Sequence, residues 1–125
     1  MNTHIKTTNI ALTDAISDYV NKRLLKIEKL TNGDSSAQCD VELARTTTHH
    51  NKGEVFRAEI HLVGAAGLNI YTSIEREDLY TAIDEVRDAV IREFTGNRKK
   101  KMSRIRRGGA RIKEMVKGMW PWRRN

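Results

Sequence analysis

Residues 56–94 read FRAEIHLVGAAGLNIYTSIEREDLYTAIDEVRDAVIREF, and within them the spacing of apolar residues changes from two to about 3.6. Phe56, Ala58, Ile60 and Leu62 alternate with Arg57, Glu59 and His61, and Leu68, Ile70, Thr72 and Ile74 alternate with Asn69, Tyr71 and Ser73. Each run reads as a strand with one apolar and one polar face, joined by a Gly64–Gly67 turn. Past Asp78 the rhythm lengthens. Leu79, Ile83, Val86, Val90 and Phe94 recur at steps of three and four, the buried stripe of a helix.

The same two rhythms extend towards the N-terminus. Cys39, Val41 and Leu43 alternate with Asp40, Glu42 and Ala44, a third strand of the same kind. Three such strands, each polar on one side, predict antiparallel pairing with one face covered. Before them Ile16, Val20, Leu24 and Ile27 mark a first helix, opened by Thr13 as N-cap and ended at Asn32-Gly33. Residues 2–9 alternate again, with Ile5 and Thr7 on one side. The predicted order is β-α-β-β-β-α, an α+β fold with two helices packed on one face of a four-stranded sheet, plus a basic C-terminal extension. The expected domain comprises residues 1–96. In the tail, 97–125, Gly96-Asn97 weakens the second helix and Gly108-Gly109 is expected to break it. A short amphipathic helix bearing Ile112, Met115, Val116 and Met119 follows, stopped by Pro121.

Charge is distributed unevenly along the chain. The formal net charge is +7. Residues 97–125 hold twelve Lys/Arg and one acid, Glu114, whereas residues 1–96 hold eleven Lys/Arg against fifteen acids. A mildly acidic body with a strongly basic tail points to a polyanionic partner, nucleic acid or an anionic membrane surface. One cysteine, no signal peptide and no long apolar run predict a cytoplasmic protein without disulfides.

Within the body the charges are sorted. At about 100° per residue, Lys22, Lys26 and Lys29 fall within a sector of roughly 60° beside the apolar stripe, with Arg23 flanking it. Cations near a helix C-terminus complement its dipole, which accounts for one or two of these but not for four in eight residues. The second helix starts acidic, with Glu75, Glu77, Asp78, Asp84, Glu85 and Asp88. It then becomes basic, with Arg87, Arg92, Arg98, Lys99, Lys100 and Lys101. Parallel helices would bring these basic halves together as a phosphate-binding end, extended by Arg104, Arg106, Arg107 and Arg111. The acidic helix start, Glu75-Arg76-Glu77-Asp78, argues against a double-stranded-RNA-binding domain, which grips phosphates with lysines there.

Three stretches carry a family resemblance: LTDAISDYVNKRLLKIEKL (residues 12–30), TTTHHNKGEVFRAEIHL (46–62) and EDLYTAID (77–84). They resemble the short ribosome hibernation-promoting factors and ribosome-associated inhibitors, the sigma-54 modulation proteins. The resemblance covers about residues 1–95 and implies the same β-α-β-β-β-α order. It implies binding to the small ribosomal subunit in the channel of messenger RNA and of A- and P-site transfer RNA, silencing idle ribosomes without enzymatic chemistry. Arg23 and Lys26, and Arg92, Arg98 and Lys100, fit the family's RNA-contacting positions. Ala89 and Gly96 depart from it, standing where relatives often carry Lys. The roughly 29 residues after Gly96 are too few and too basic for the C-terminal dimerisation domain of longer members, so self-driven ribosome dimerisation through it is not expected; off the ribosome a monomer is expected.

Other features point to no chemistry. His49-His50 has no partners completing a tetrahedral metal set, Cys39 lacks a His partner, and no Gly-rich phosphate loop is present. No catalytic residue, metal or cofactor is expected, and the expected partner is ribosomal RNA with ribosomal proteins, not DNA. Tyr71 and Tyr80 are candidates for base stacking, Tyr80 more naturally as a core-edge residue. Trp120 and Trp122 beside Arg123 and Arg124 would suit a membrane surface as well as ribosomal RNA; the sorted cations of the body favour the ribosome.

Overall fold

The computed structural model describes residues 1–46 and 53–115, with side chains to residue 100. The chain divides into two compact units, Met1–Glu93 and Phe94–Asn125. The first contains β1 (Asn2–Thr8), α1 (Asp14–Arg23), α2 (Leu25–Leu30), β2 (Gln38–Thr46), β3 (Val55–Val63), β4 (Asn69–Arg76) and the start of α3 (Leu79–Met115).

The sheet order is β1-β2-β3-β4. As the alternation predicts, β2, β3 and β4 pair antiparallel, in a register that aligns Cys39 with Leu62 and Leu62 with Ile70. The first strand differs: β1 runs parallel to β2, with Ile5 opposite Val41, so the sheet is mixed. A parallel pair needs a long crossover, and the α1–α2 segment supplies it.

Alternation decides which face is covered. Cys39, Val41, Leu43, Ala58, Ile60, Leu62 and Ile70 are all buried, as are Val20, Leu24 and Ile27 from α1 and α2 and Leu79, Ile83, Val86 and Val90 from α3. Each large aliphatic side chain so placed contributes about 1.5–3 kcal/mol over an exposed one. Cys39 belongs to this core, and burial pushes its thiol up to about 12, so it is an inert filler at neutral pH.

The helix ends are made as the sequence anticipates. Thr13 Oγ1 accepts a hydrogen bond from the Ile16 N–H at 3.2 Å. Asp78 Oδ2 accepts from the Thr81 N–H at 2.9 Å and from the Thr81 hydroxyl at 2.8 Å. These bonds, the Thr81 side chain's first, hold its carboxyl below the usual carboxylate range. Gly33 takes φ +88°, a left-handed turn that favours glycine. Thr31, buried, donates its hydroxyl to the carbonyls of Ile27 and Glu28.

Of the expectations about the helices, the first helix gains a detail and the second needs correction. The first helix is interrupted at Leu24, although the Leu24 N–H still bonds Val20 O at 2.9 Å and the Glu28 N–H bonds Leu24 O at 3.0 Å. The predicted break at Gly108-Gly109 is absent, because α3 is continuous from Leu79 to Met115. Each mid-helix glycine costs about 1 kcal/mol relative to alanine, and the surrounding Arg, Lys, Met and Ile supply neither a cap nor a proline to stop the helix. The separate helix expected near residues 112–119 is therefore part of α3 as far as Met115. Residues 116–125, with both tryptophans, and the His49-His50 pair lie outside the described residues.

Candidate nucleic-acid interface

The seam between α1 and α3 fixes where the body's cations stand. Tyr19 and Tyr80 meet edge-on with ring centroids 4.8 Å apart. One turn further along each helix, Arg23 Nε lies 2.8 Å from Asp84 Oδ1. Tyr19 precedes Arg23 by four residues and Tyr80 precedes Asp84 by four, so the two pairs align only if the helices run in the same direction. The parallel arrangement on which the sequence reading depends is present within the first unit.

Asp84 Oδ1 also accepts a 2.6 Å hydrogen bond from the Tyr19 hydroxyl. That bond is the leading cause of a phenol pKa above its ordinary value, ahead of burial; Arg23 and Arg87 oppose it weakly. Neither Tyr19 nor Asp84 stood out in the sequence as a seam residue. The i, i+4 spacing of Tyr19 and Arg23 opposite that of Tyr80 and Asp84 was the available signal.

The cations named from the sequence fall into two groups. Arg23 and Arg87 are engaged: Arg23 faces Asp84, and Arg87 Nη2 lies 2.6 Å from Asp88 Oδ1. Lys22, Lys26 and Lys29 on α1 and α2 and Arg92 on α3 are exposed, with no carboxylate within 4.0 Å among the described residues. Their charges are open to a polyanion. In the second unit, Arg98 lies 6.0 Å over the Phe94 ring, and Arg98, Lys99 and Lys100 are exposed. Lys101, Arg104, Arg106, Arg107 and Arg111 follow on α3.

The opposite face of the sheet has another character. Glu42 lies between Lys6, at 3.8 Å, and Arg57, at 3.7 Å, and Arg57 Nε reaches Glu59 at 3.1 Å. Tyr71, the stacking candidate, belongs to this face, 57% exposed, with its ring edge-on to His61. A hydrogen bond with Glu59 raises its phenol pKa above the ordinary value. It is thus separated by the sheet from the helix lysines. Tyr80 is part of the seam, as its place beside Asp84 requires.

Among the described residues no group of His, Cys, Asp and Glu is arranged to hold a metal ion, and no helix is long and apolar enough to cross a membrane. What the first unit offers is an α+β domain whose helical side can hold phosphates while its bare sheet face neutralises its own charges.

The chain belongs to the family described as "Sigma 54 modulation protein / S30EA ribosomal protein", which it matches over residues 3–102. The "Ribosome hibernation promoting factor" of Azotobacter vinelandii is 25% identical over 104 residues, covering 83% of this chain and 89% of that protein. The "Ribosome hibernation promotion factor" of Bacillus subtilis is 26% identical over 110 residues, 88% of this chain but 55% of that protein. Among solved structures, the Protein Y N-terminal domain of Thermus thermophilus superimposes with a TM-score of 0.62 at 28% identity, covering 75% of this chain and 96% of the domain. A ribosomal subunit interface protein from Coxiella burnetii gives 0.64 at 13% identity, covering 79% of this chain and 99% of that one, a likeness of fold.

Proposed function

We propose that this protein is a ribosome hibernation factor. It binds the small ribosomal subunit in the channel used by messenger RNA and by A- and P-site transfer RNA, and so blocks translation on idle ribosomes without performing chemistry. The carrying observation is the set Lys22 on α1, Lys26 and Lys29 on α2 and Arg92 on α3, exposed and with no carboxylate within 4.0 Å among the described residues, with α1 and α3 running parallel, in a chain whose relatives bear the hibernation name. Arg23 and Arg87 contribute from the seam. Arg98, Lys99, Lys100 and Lys101, then Arg104, Arg106, Arg107 and Arg111, extend the contact along ribosomal RNA.

Phosphate contacts position a protein without reading sequence, so the shape of the folded RNA supplies the selectivity. Cations that displace condensed counterions make such binding salt-dependent. With roughly 6–10 phosphates engaged, affinity falls about 10³–10⁵-fold between about 50 and 200 mM salt. The test is co-sedimentation of the full chain with purified small subunits across that salt range, with transfer RNA as competitor. Release by salt and displacement by transfer RNA are expected. Equal affinity for arbitrary structured RNA would instead make this a general RNA-binding protein. Binding to anionic vesicles without binding to subunits would make it a membrane-surface protein.

A further inference from the structure

Asp84 is a negative charge on the helical side that the foregoing reading assigns to a polyanion, and by charge alone it opposes that role. Its surroundings give it another. One oxygen, Oδ1, takes the Tyr19 hydroxyl at 2.6 Å and lies 2.8 Å from Arg23 Nε. It therefore spans a full turn of α1 from a single point on α3. Tyr80, one turn before Asp84, closes the same clasp against the Tyr19 ring. The carboxylate is not sealed in the core: the Asp84 side chain is 37% exposed and that of Arg23 34%. Arg23 faces Asp84 through Nε, on the inner side of the guanidinium, as an ion pair at 2.8 Å without the alignment of a hydrogen bond. Among the described residues its two outer nitrogens have no hydrogen-bond partner. They form the edge that binds a phosphate in a bidentate manner.

Resting on the hibernation reading, we infer that Asp84 is a positioning residue for RNA binding. It fixes the bearing of Arg23 and, through Tyr19, the register of the lysine row on α1 and α2 against α3. A long arginine side chain otherwise loses rotamer freedom when it grips its target; Asp84 has already imposed that order. Charge counting and positioning predict opposite signs. Removing an acid from the polyanion-binding side tightens binding if only net charge matters. It weakens binding if the acid aims the arginine.

The experiment measures the affinity of the full-length protein for purified small ribosomal subunits at low salt, for wild type, Asp84→Ala, Arg23→Gln and the double variant. Circular dichroism and thermal unfolding check the fold of each. Asp84→Ala is expected to weaken binding about fivefold or more, and the double variant to bind no worse than Arg23→Gln alone, because residues acting as one unit are non-additive. Glu93→Gln, which removes an exposed acid from the same helix, is expected to leave binding unchanged or slightly tighter. Asp84→Asn keeps the Oδ1 acceptor that Tyr19 and Arg23 share and removes only its charge; it stands in if the alanine variant does not fold, and is expected to weaken binding, though less than alanine does. Wild-type binding with an Asp84 variant at or above wild-type affinity, or losses that multiply in the double variant, overturns the inference alone. Failure of the wild type to bind overturns the hibernation reading and the inference with it.

Discussion

The two faces of the first unit use the same residue types to opposite ends. On the bare face of the sheet, Lys6, Glu42, Arg57 and Glu59 stand on three adjacent strands and form ion pairs with one another. On the helical side, Lys22, Lys26, Lys29 and Arg92 have no such partners among the described residues. Strands sit about 4.8 Å apart, so opposite charges placed across them meet. Lys22, Lys26 and Lys29 share one helical sector, and although Asp18 stands one turn before Lys22, no carboxylate lies within 4.0 Å of them among the described residues.

The largest test of this contrast is charge reversal on the helical side. Lys22, Lys26 and Arg92 replaced together by Glu are expected to lower small-subunit affinity about 100-fold or more at low salt. The circular dichroism spectrum is expected to stay that of the wild type, because all three side chains are exposed. Next in size is the layer both faces share. Leu43 is fully buried at the centre of the sheet, and Leu43→Ala is expected to cost about 2–5 kcal/mol in denaturant unfolding. It would weaken subunit binding only as far as the folded fraction falls.

A third test uses pH. Asp34 and Asp78 both have carboxyl pKa values below their ordinary range, Asp34 chiefly through Ser36 and the Ala65 N–H, Asp78 through Thr81. A folded-state value lower than the unfolded one adds stability above the unfolded pKa, about 3.9, and loses it as pH falls through the folded value. Stability is therefore expected to decline on acidification below about pH 4, and Asp34→Asn to flatten that decline, in thermal melts followed across pH. The smallest effect belongs to the bare face. Lys6→Gln removes one side of a long, exposed ion pair and is expected to change stability by less than about 1 kcal/mol and to leave subunit affinity within about twofold. A loss comparable to that of the helix variant would show that the sheet face also binds.

Much of this was legible in the sequence. The period change at Asp78, the alternation in three strands and the Thr13 cap define the element order, and helical spacing alone groups Lys22, Lys26 and Lys29. Direction was not legible for β1, since Ile5 and Thr7 alternate identically in a parallel or an antiparallel neighbour. The interruption at Leu24 leaves no local mark, because Leu24 keeps the apolar stripe, a right-handed helical backbone and its bond to Val20. Gly108-Gly109 misled in the other direction, because glycine lowers helix stability without ending a helix that lacks a stop. The engagement of Arg23 escaped because its partner is distant in the chain. Asp84 was visible as part of an acidic patch, but its assignment to Arg23 depends on how two distant helices are apposed.

Asp34 carries a further consequence. Its Oδ1 accepts the Ser36 N–H at 2.9 Å and its Oδ2 the Ala65 N–H at 2.9 Å, tying the segment that leads into β2 to the β3–β4 turn. A Cβ on Gly64 would come within 2.6 Å of that same Oδ2, so the latch tolerates no side chain there unless the carboxylate withdraws. Two backbone amides far apart in the chain thus depend on one acid, and opening it would expose both to deuterium in a single event. Segments of the fold that look like independent loops would then open as one cooperative piece.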